Sequence, residues 1–239
     1  MIMDSLMHQS RSQGPDVMHG VYSGTVTDNK DPENFGRVKV KIPIIDQNKE
    51  FDWMRIVTFM GGKQRGALFI PEVGDEVLVA FVMGDIKAPI VIGSLWNKND
   101  KPPEGMNEKN DIRKIKTRSG HEIIFDDNDS NSSITVQSKG GHKLELLDKD
   151  KKIQLSAAGE KQQIVVDASQ GSVTVKSANT KITLSQSGDI QLEGTKAVTI
   201  KGGQINIQAT SAMEMKANAS MTISTQGVLQ LKGSLIKLN

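Results

Sequence analysis

The chain has 239 residues, 36% hydrophobic and 24% charged, and its 30 basic and 28 acidic side chains leave a net charge of +2. Such a balance argues against nucleic acid as the main partner, and the lack of cysteine excludes disulfide frameworks, thiolate metal sites and thiol catalysis. The longest apolar run, Val77 to Met83, falls far short of the roughly 18 residues of a spanning helix. The first twenty residues lack a signal peptide's basic-then-apolar order, so synthesis in the cytoplasm without Sec export is expected.

Residues 1–19 form an arm that is methionine-rich, polar and without period, and a disordered tail is the expectation. Beyond it the chain divides by shape rather than charge. Eight of the nine aromatic residues lie between Tyr22 and Trp96, the ninth is Phe125, and all seven prolines lie at or before Pro103.

Residues 20–96 alternate apolar and polar side chains, as in Val38–Ile42 and Glu76–Val82, between turn signals at Asp28-Asn29, Asp31-Pro32, Gly61-Gly62, Gly74-Asp75 and Gly84-Asp85. Period two between glycine, proline and aspartate clusters predicts five or six strands, almost no helix, and a small closed barrel. Gly36, Gly74 and Gly84 are expected at positive φ or at close backbone approaches. Trp53 and Trp96 are expected to fill the barrel interior. Gly61-Gly-Lys-Gln-Arg-Gly66 lacks the spacing of a phosphate-binding loop and reads as a hairpin tip.

The landmarks follow a particular order: Gly24-Thr-Val-Thr-Asp28, Asp31-Pro-Glu-Asn-Phe-Gly-Arg-Val-Lys-Val40, Trp53-Met-Arg-Ile-Val57, Pro71-Glu-Val-Gly-Asp-Glu-Val77, Gly84-Asp85 and Pro89-Ile-Val-Ile-Gly-Ser94. In this order they resemble the barrel of phage baseplate assembly protein V and of the VgrG spike family. The resemblance implies an OB-like barrel at the head of a homotrimeric needle.

Residues 97–120 form a linker or neck: Asn97–Asn110 is polar with two adjacent prolines, and Ile115–Asp127 resembles the VgrG segment where barrel gives way to needle. It is too short to hold the peptidoglycan-cleaving domain that some phage relatives carry there.

Residues 121–239 form a repeat. Apolar-x-apolar triplets begin at Ile134, Leu144, Ile153, Ile164, Val173, Ile182, Ile190, Val198, Ile205, Met213, Met221, Leu229 and Ile236. Their spacing, 9 to 11 residues at first, tightens to 7 or 8, the mark of a solenoid or fibrous β-structure. Coiled alone, the chain would make a stub about 20 Å long; three chains wound together would make a needle near 60 Å, at about 4.8 Å per strand. The slender aliphatic interior and even corners favour three chains. The expected fold class is therefore all-β, an N-terminal OB-like barrel followed by a C-terminal intertwined triple-stranded β-helix. Its trimer core is expected at Ile182, Leu184, Ile190, Leu192, Val198, Ile200, Ile205, Ile207, Met213, Met215, Met221, Ile223, Leu229 and Leu231.

Such a prism is stiff, and the resemblance implies a central spike driven through a target envelope when a sheath contracts. No cofactor, metal or catalytic group is expected. His8, His19, His121 and His142 show no ligand spacing, and the C-terminus lacks the His-x-His of self-tipped phage spikes. A blunt end exposing Leu235, Ile236 and Leu238 predicts a capping partner, by resemblance a PAAR-repeat protein. Full-length VgrG proteins carry a hub domain before the barrel, so a separate hub or baseplate protein is the expected partner above, and the N-terminal arm could order against it.

Asp126, Asp127, Asp129, Asp148 and Asp150 read as solvated turns rather than a glycosidase pair, and Ser119-Gly-His121 reads as a turn rather than a nucleophile elbow. Two rivals remain: a β-helical tail fibre that binds a receptor or cleaves polysaccharide, and an oligonucleotide-binding barrel with a fibrous tail. The first requires an aromatic-lined groove that the sequence after Phe125 cannot supply.

Overall fold

A computed structural model describes residues 17–237. The first unit is a closed barrel of β1 (Val21–Asp28), β2 (Val38–Lys41), β3 (Glu50–Ile56), β6 (Glu76–Phe81) and β7 (Pro89–Leu95), in the order β1-β2-β3-β7-β6 with β6 closing on β1. All its neighbours are antiparallel except β3 and β7. The connection from β3 to β6 carries a small hairpin, β4 (Gly61–Gly62) with β5 (Arg65–Gly66), at the predicted tip. Gly36, Gly74 and Gly84 have φ of 72°, 102° and 77°, the backbone expected where strands meet turns. At Gly24 a Cβ would lie 2.5 Å from Val40 Cγ1 and 2.9 Å from the Lys41 carbonyl oxygen, so β1 and β2 cross only because this side chain is missing.

The interior is aliphatic: Val26, Val38, Val40, Ile42, Met54, Val77, Val79 and Val91 are almost wholly buried, with Phe51 and Phe81 beside them. Neither tryptophan fills it, contrary to the sequence expectation. Pairing of Val38 with Met54 and of Val40 with Phe51 places one extra residue in β3. This bulge breaks the alternation that would have turned Trp53 inward after Phe51. Met54 takes the interior place, and the half-buried Trp53 lies under Lys39, whose Nζ is 5.2 Å from the ring centroid. Trp96 is 70% exposed beyond the end of β7.

The β1–β2 loop is organised by Asp31. Its carboxylate accepts hydrogen bonds from the backbone N–H groups of Glu33, Phe35 and Arg37 and from Nε and Nη2 of Arg37, the last two at 2.9 and 2.8 Å. Arg37, also paired with Glu33, holds the Asp31 carboxyl well below the usual carboxylate range.

The second unit is a nine-stranded antiparallel meander. Its strands are β8 (Ile112–Lys116), β9 (Glu122–Asp126), β10 (Ser133–Gln137), β11 (Lys143–Leu147), β12 (Lys152–Ser156), β13 (Gln162–Asp167), β14 (Ser172–Ser177), β15 (Thr180–Ser185) and β16 (Ile190–Glu193), each bonded to the next in sequence. The first strand begins at Ile112, inside the stretch read as neck, and over Ile112–Glu193 each strand pairs with its sequence neighbour within the chain. Triplets 8 to 11 residues apart leave room for a reversing turn after each strand. Residues 194–237, where triplets recur every 7 or 8, carry no strand and are exposed throughout.

Candidate assembly surface

Register places most apolar residues of β8–β16 on one face of the sheet, with Ile124 and Val165 among those on the other. Ile123 lies opposite Val136, Val136 opposite Leu144, Leu144 opposite Leu155, Leu155 opposite Ile164, Ile164 opposite Val175, Val175 opposite Ile182, and Ile182 opposite Leu192. A second column runs from Phe125 through Ile134, Leu146, Ile153, Val166, Val173 and Leu184 to Ile190 by the same pairings. Period two explains the pattern, since each x of an apolar-x-apolar triplet points to the other face: there stand Thr135, Glu145, Gln154, Thr174, Thr183 and Gln191.

The two columns have no cover. Ile123 is 37% exposed, Leu155 50% and Ile190 77%, whereas the barrel interior is closed. Of the trimer-core residues expected from sequence, Ile182, Leu184, Ile190 and Leu192 complete these columns. Val198, Ile200, Ile205, Ile207, Met213, Met215, Met221, Ile223, Leu229 and Leu231 continue as exposed apolar pairs in the strandless segment. Leu235 and Ile236, read as tip-docking residues, are exposed too; Leu238 lies outside the described residues, as do His8 and most of the N-terminal arm. Sequence reasoning stopped short of the part of this face on β8 and β9. Ile115, Ile123 and Phe125 carry no isolated triplet because Ile123-Ile124-Phe125 is a run, and only the pairing reveals which of the three faces the columns.

Barrel and sheet are joined by polar contacts. Lys114 of β8 reaches Glu104 of the neck at 2.6 Å, Glu122 of β9 contacts Lys114 at 3.6 Å and Lys116 at 2.9 Å, and Arg118 in the first turn pairs with Glu72 of the barrel at 3.0 Å. Asn97 donates to Glu76 at 2.9 Å. The hydrogen bond from Lys114 lowers the Glu104 carboxyl and raises the Lys114 ammonium, and the bond from Lys116 lowers Glu122. Trp96 lines a groove with Pro102, Pro103 and Met106 beside this joint.

The other candidate residues occupy turns. Asp127, Asp129, Asp148 and Asp150 lie in exposed turns and Asp126 at a strand end. In the Ser119-Gly-His121 turn, His121 Nδ1 accepts the Lys139 backbone N–H at 3.2 Å and Ser119 Oγ lies 3.4 Å from Thr117 Oγ1. The imidazole is thus committed to the next turn on the same side of the sheet. His142 repeats the arrangement, its Nδ1 accepting the Ala158 N–H at 3.2 Å. Among the described residues no helix is long and apolar enough to cross a membrane.

Residues 22–96, the barrel, match the type VI secretion system/phage-baseplate injector OB domain family. Among curated proteins the chain is similar to the type VI secretion system spike protein VgrG3 of Vibrio cholerae, 29% identical over 116 residues that cover 45% of this chain and 11% of that protein. It is also similar to the spike proteins VgrG2a and VgrG5 of Pseudomonas aeruginosa. The first is 29% identical over 46% of this chain and 14% of its own length, the second 38% identical over 30% and 10%. A further relative is the actin cross-linking toxin VgrG1 of Vibrio cholerae, 28% identical over 45% of this chain and 11% of its own length. The chain therefore spans between a tenth and a seventh of the length of these relatives.

Proposed function

We propose that the chain is the central spike of a contractile injection baseplate, a homotrimeric needle that transmits force and is not an enzyme. The observation that carries this reading is the bare apolar face of β8–β16, continued by apolar pairs through residues 194–237. Hydrophobic surface of this extent is closed by partners bearing the same pattern, and further copies of the chain supply it. Three sheets turned inward around an axis make a prism, its faces about 40 Å long at about 4.8 Å per strand.

In residues 194–237 no strand pairs within the chain. Strands there pair with those of the other two copies, each chain advancing round the axis as an intertwined β-helix with the Val198 to Leu231 pairs inside. With every backbone group bonded, the prism resists bending and unfolding, as piercing requires. The resemblance to spike proteins and to the injector OB domain supports the baseplate setting.

By resemblance to the spike proteins, a hub or baseplate protein docks on the barrel and a PAAR-type protein docks on the apolar residues Leu235, Ile236 and Leu238. The protein is made in the cytoplasm, assembles into the machine and reaches the target envelope on contraction. Native mass spectrometry tests the reading: a trimer that survives mild detergent is expected, and a monomer at micromolar concentration would overturn it.

A further inference from the structure

The turns of the meander fall in two rows, one along each lateral edge of the sheet, and the rows carry opposite charge. On one edge lie the turns 117–121, 138–142, 157–161 and 178–179, with Arg118, Lys139 and Lys161 in the turns and Lys143 and Lys176 at strand ends. On the other lie the turns 127–132, 148–151, 168–171 and 186–189, with Asp127, Asp129, Asp148, Asp150 and Asp189 in the turns and Asp167 at a strand end. The exceptions are Glu122, Glu160 and Glu193 on the first edge and Lys149, Lys151 and Lys152 on the second. Among the described residues Lys139, Lys161 and Lys176, and likewise Asp127, Asp129 and Asp150, take part in no ion pair.

We propose that in the assembled needle the basic turn row of each copy lies against the acidic turn row of the next copy. Rotation about the needle axis brings opposite edges of neighbouring sheets together, a heterologous contact that closes into a ring. The partner is thus a second copy of this chain, identified by charge complementarity, and the inference rests on the spike reading only for the existence of an assembly. Spacing supports the fit: the two rows are offset by one strand, about 4.8 Å, so the turn of Lys139 falls between the turn of Asp127 and Asp129 and that of Asp148 and Asp150.

The pattern also selects orientation. Two sheets could cover their apolar faces in antiparallel fashion, with barrels at opposite ends, but that arrangement sets basic row on basic row and acidic row on acidic row. Like charges so placed oppose it. The charged edges therefore act as the device that sends all barrels to one end, where a baseplate can hold them.

The test uses the full chain and charge reversal at exposed turns that make no intrachain ion pair. K139E/K161E turns the basic row acidic, D129K/D150K turns the acidic row basic, and the four-site variant swaps the rows. Recovery of trimer after refolding at low salt, read by native mass spectrometry, is expected to fall roughly tenfold for each two-site variant and to return to within about twofold of the parent for the four-site swap. Salt near 0.5 M should shrink these differences.

Recovery by the swap separates pairing between rows from mere damage to a turn. Trimer recovery unchanged or raised in a two-site variant, or no gain in the four-site swap, overturns the edge pairing and leaves the trimer standing. A parent chain that stays monomeric removes the trimer itself.

Discussion

One extra residue in β3 decides which side chains build the barrel interior. Met54 is 1% exposed and Trp96 70%. Met54→Ala is thus expected to cost about 2–5 kcal/mol, through lost transfer energy and the cavity left behind, while Trp96→Ala should move barrel stability by less than about 1 kcal/mol; urea unfolding of the two variants makes the comparison. Asp31 adds a pH signature. Its carboxyl is held below the usual range by Arg37 and three backbone N–H groups, so its contribution is complete above that range and lost as the pH falls beneath it. Asp31→Asn is accordingly expected to lower the thermal midpoint by a constant amount from about pH 5 upward, with the gap to the parent closing only on strong acidification.

The joint and the meander belong to the scale of elements. Lys114 bridges Glu104 of the neck and Glu122 of β9, so Lys114→Met should leave barrel and sheet folded while loosening their connection, seen as faster hydrogen exchange over residues 97–111. The bridge needs Glu104 charged, and its carboxyl is lowered in the fold; the joint therefore holds at neutral pH and gives way on acidification.

Much of this level is legible in the sequence. Glycine and proline punctuation located the barrel strands, and the triplets located β10 to β16. Two things were hidden. The bulge at Trp53 leaves no trace in a pattern of alternate residues, because bulge and regular strand share the same composition. The change from 9–11 to 7–8 residue spacing was visible, yet a spacing alone does not say which intervals hold a turn that reverses the chain. Hydrogen-bond pairing supplies that, and with it the part of the apolar face around Ile123 and Phe125.

At the scale of the molecule, the proposed needle has two zones with different needs. A chain ending at Glu193 should keep its nine paired strands, since each bonds to its sequence neighbour, but lose much of the detergent resistance of the full-length assembly; circular dichroism and gel mobility report the two properties separately. The ladder of neighbouring hairpins has a kinetic consequence. Contacts in the meander are local, and local contacts form fast and at any dilution, whereas the last segment meets its partners only by encounter. On refolding, the β signal should rise at a rate indifferent to protein concentration, and detergent resistance should follow at a rate that climbs steeply with it. In the proposed needle the segment after Glu193 thus hardens last, after the meander has been laid down chain by chain.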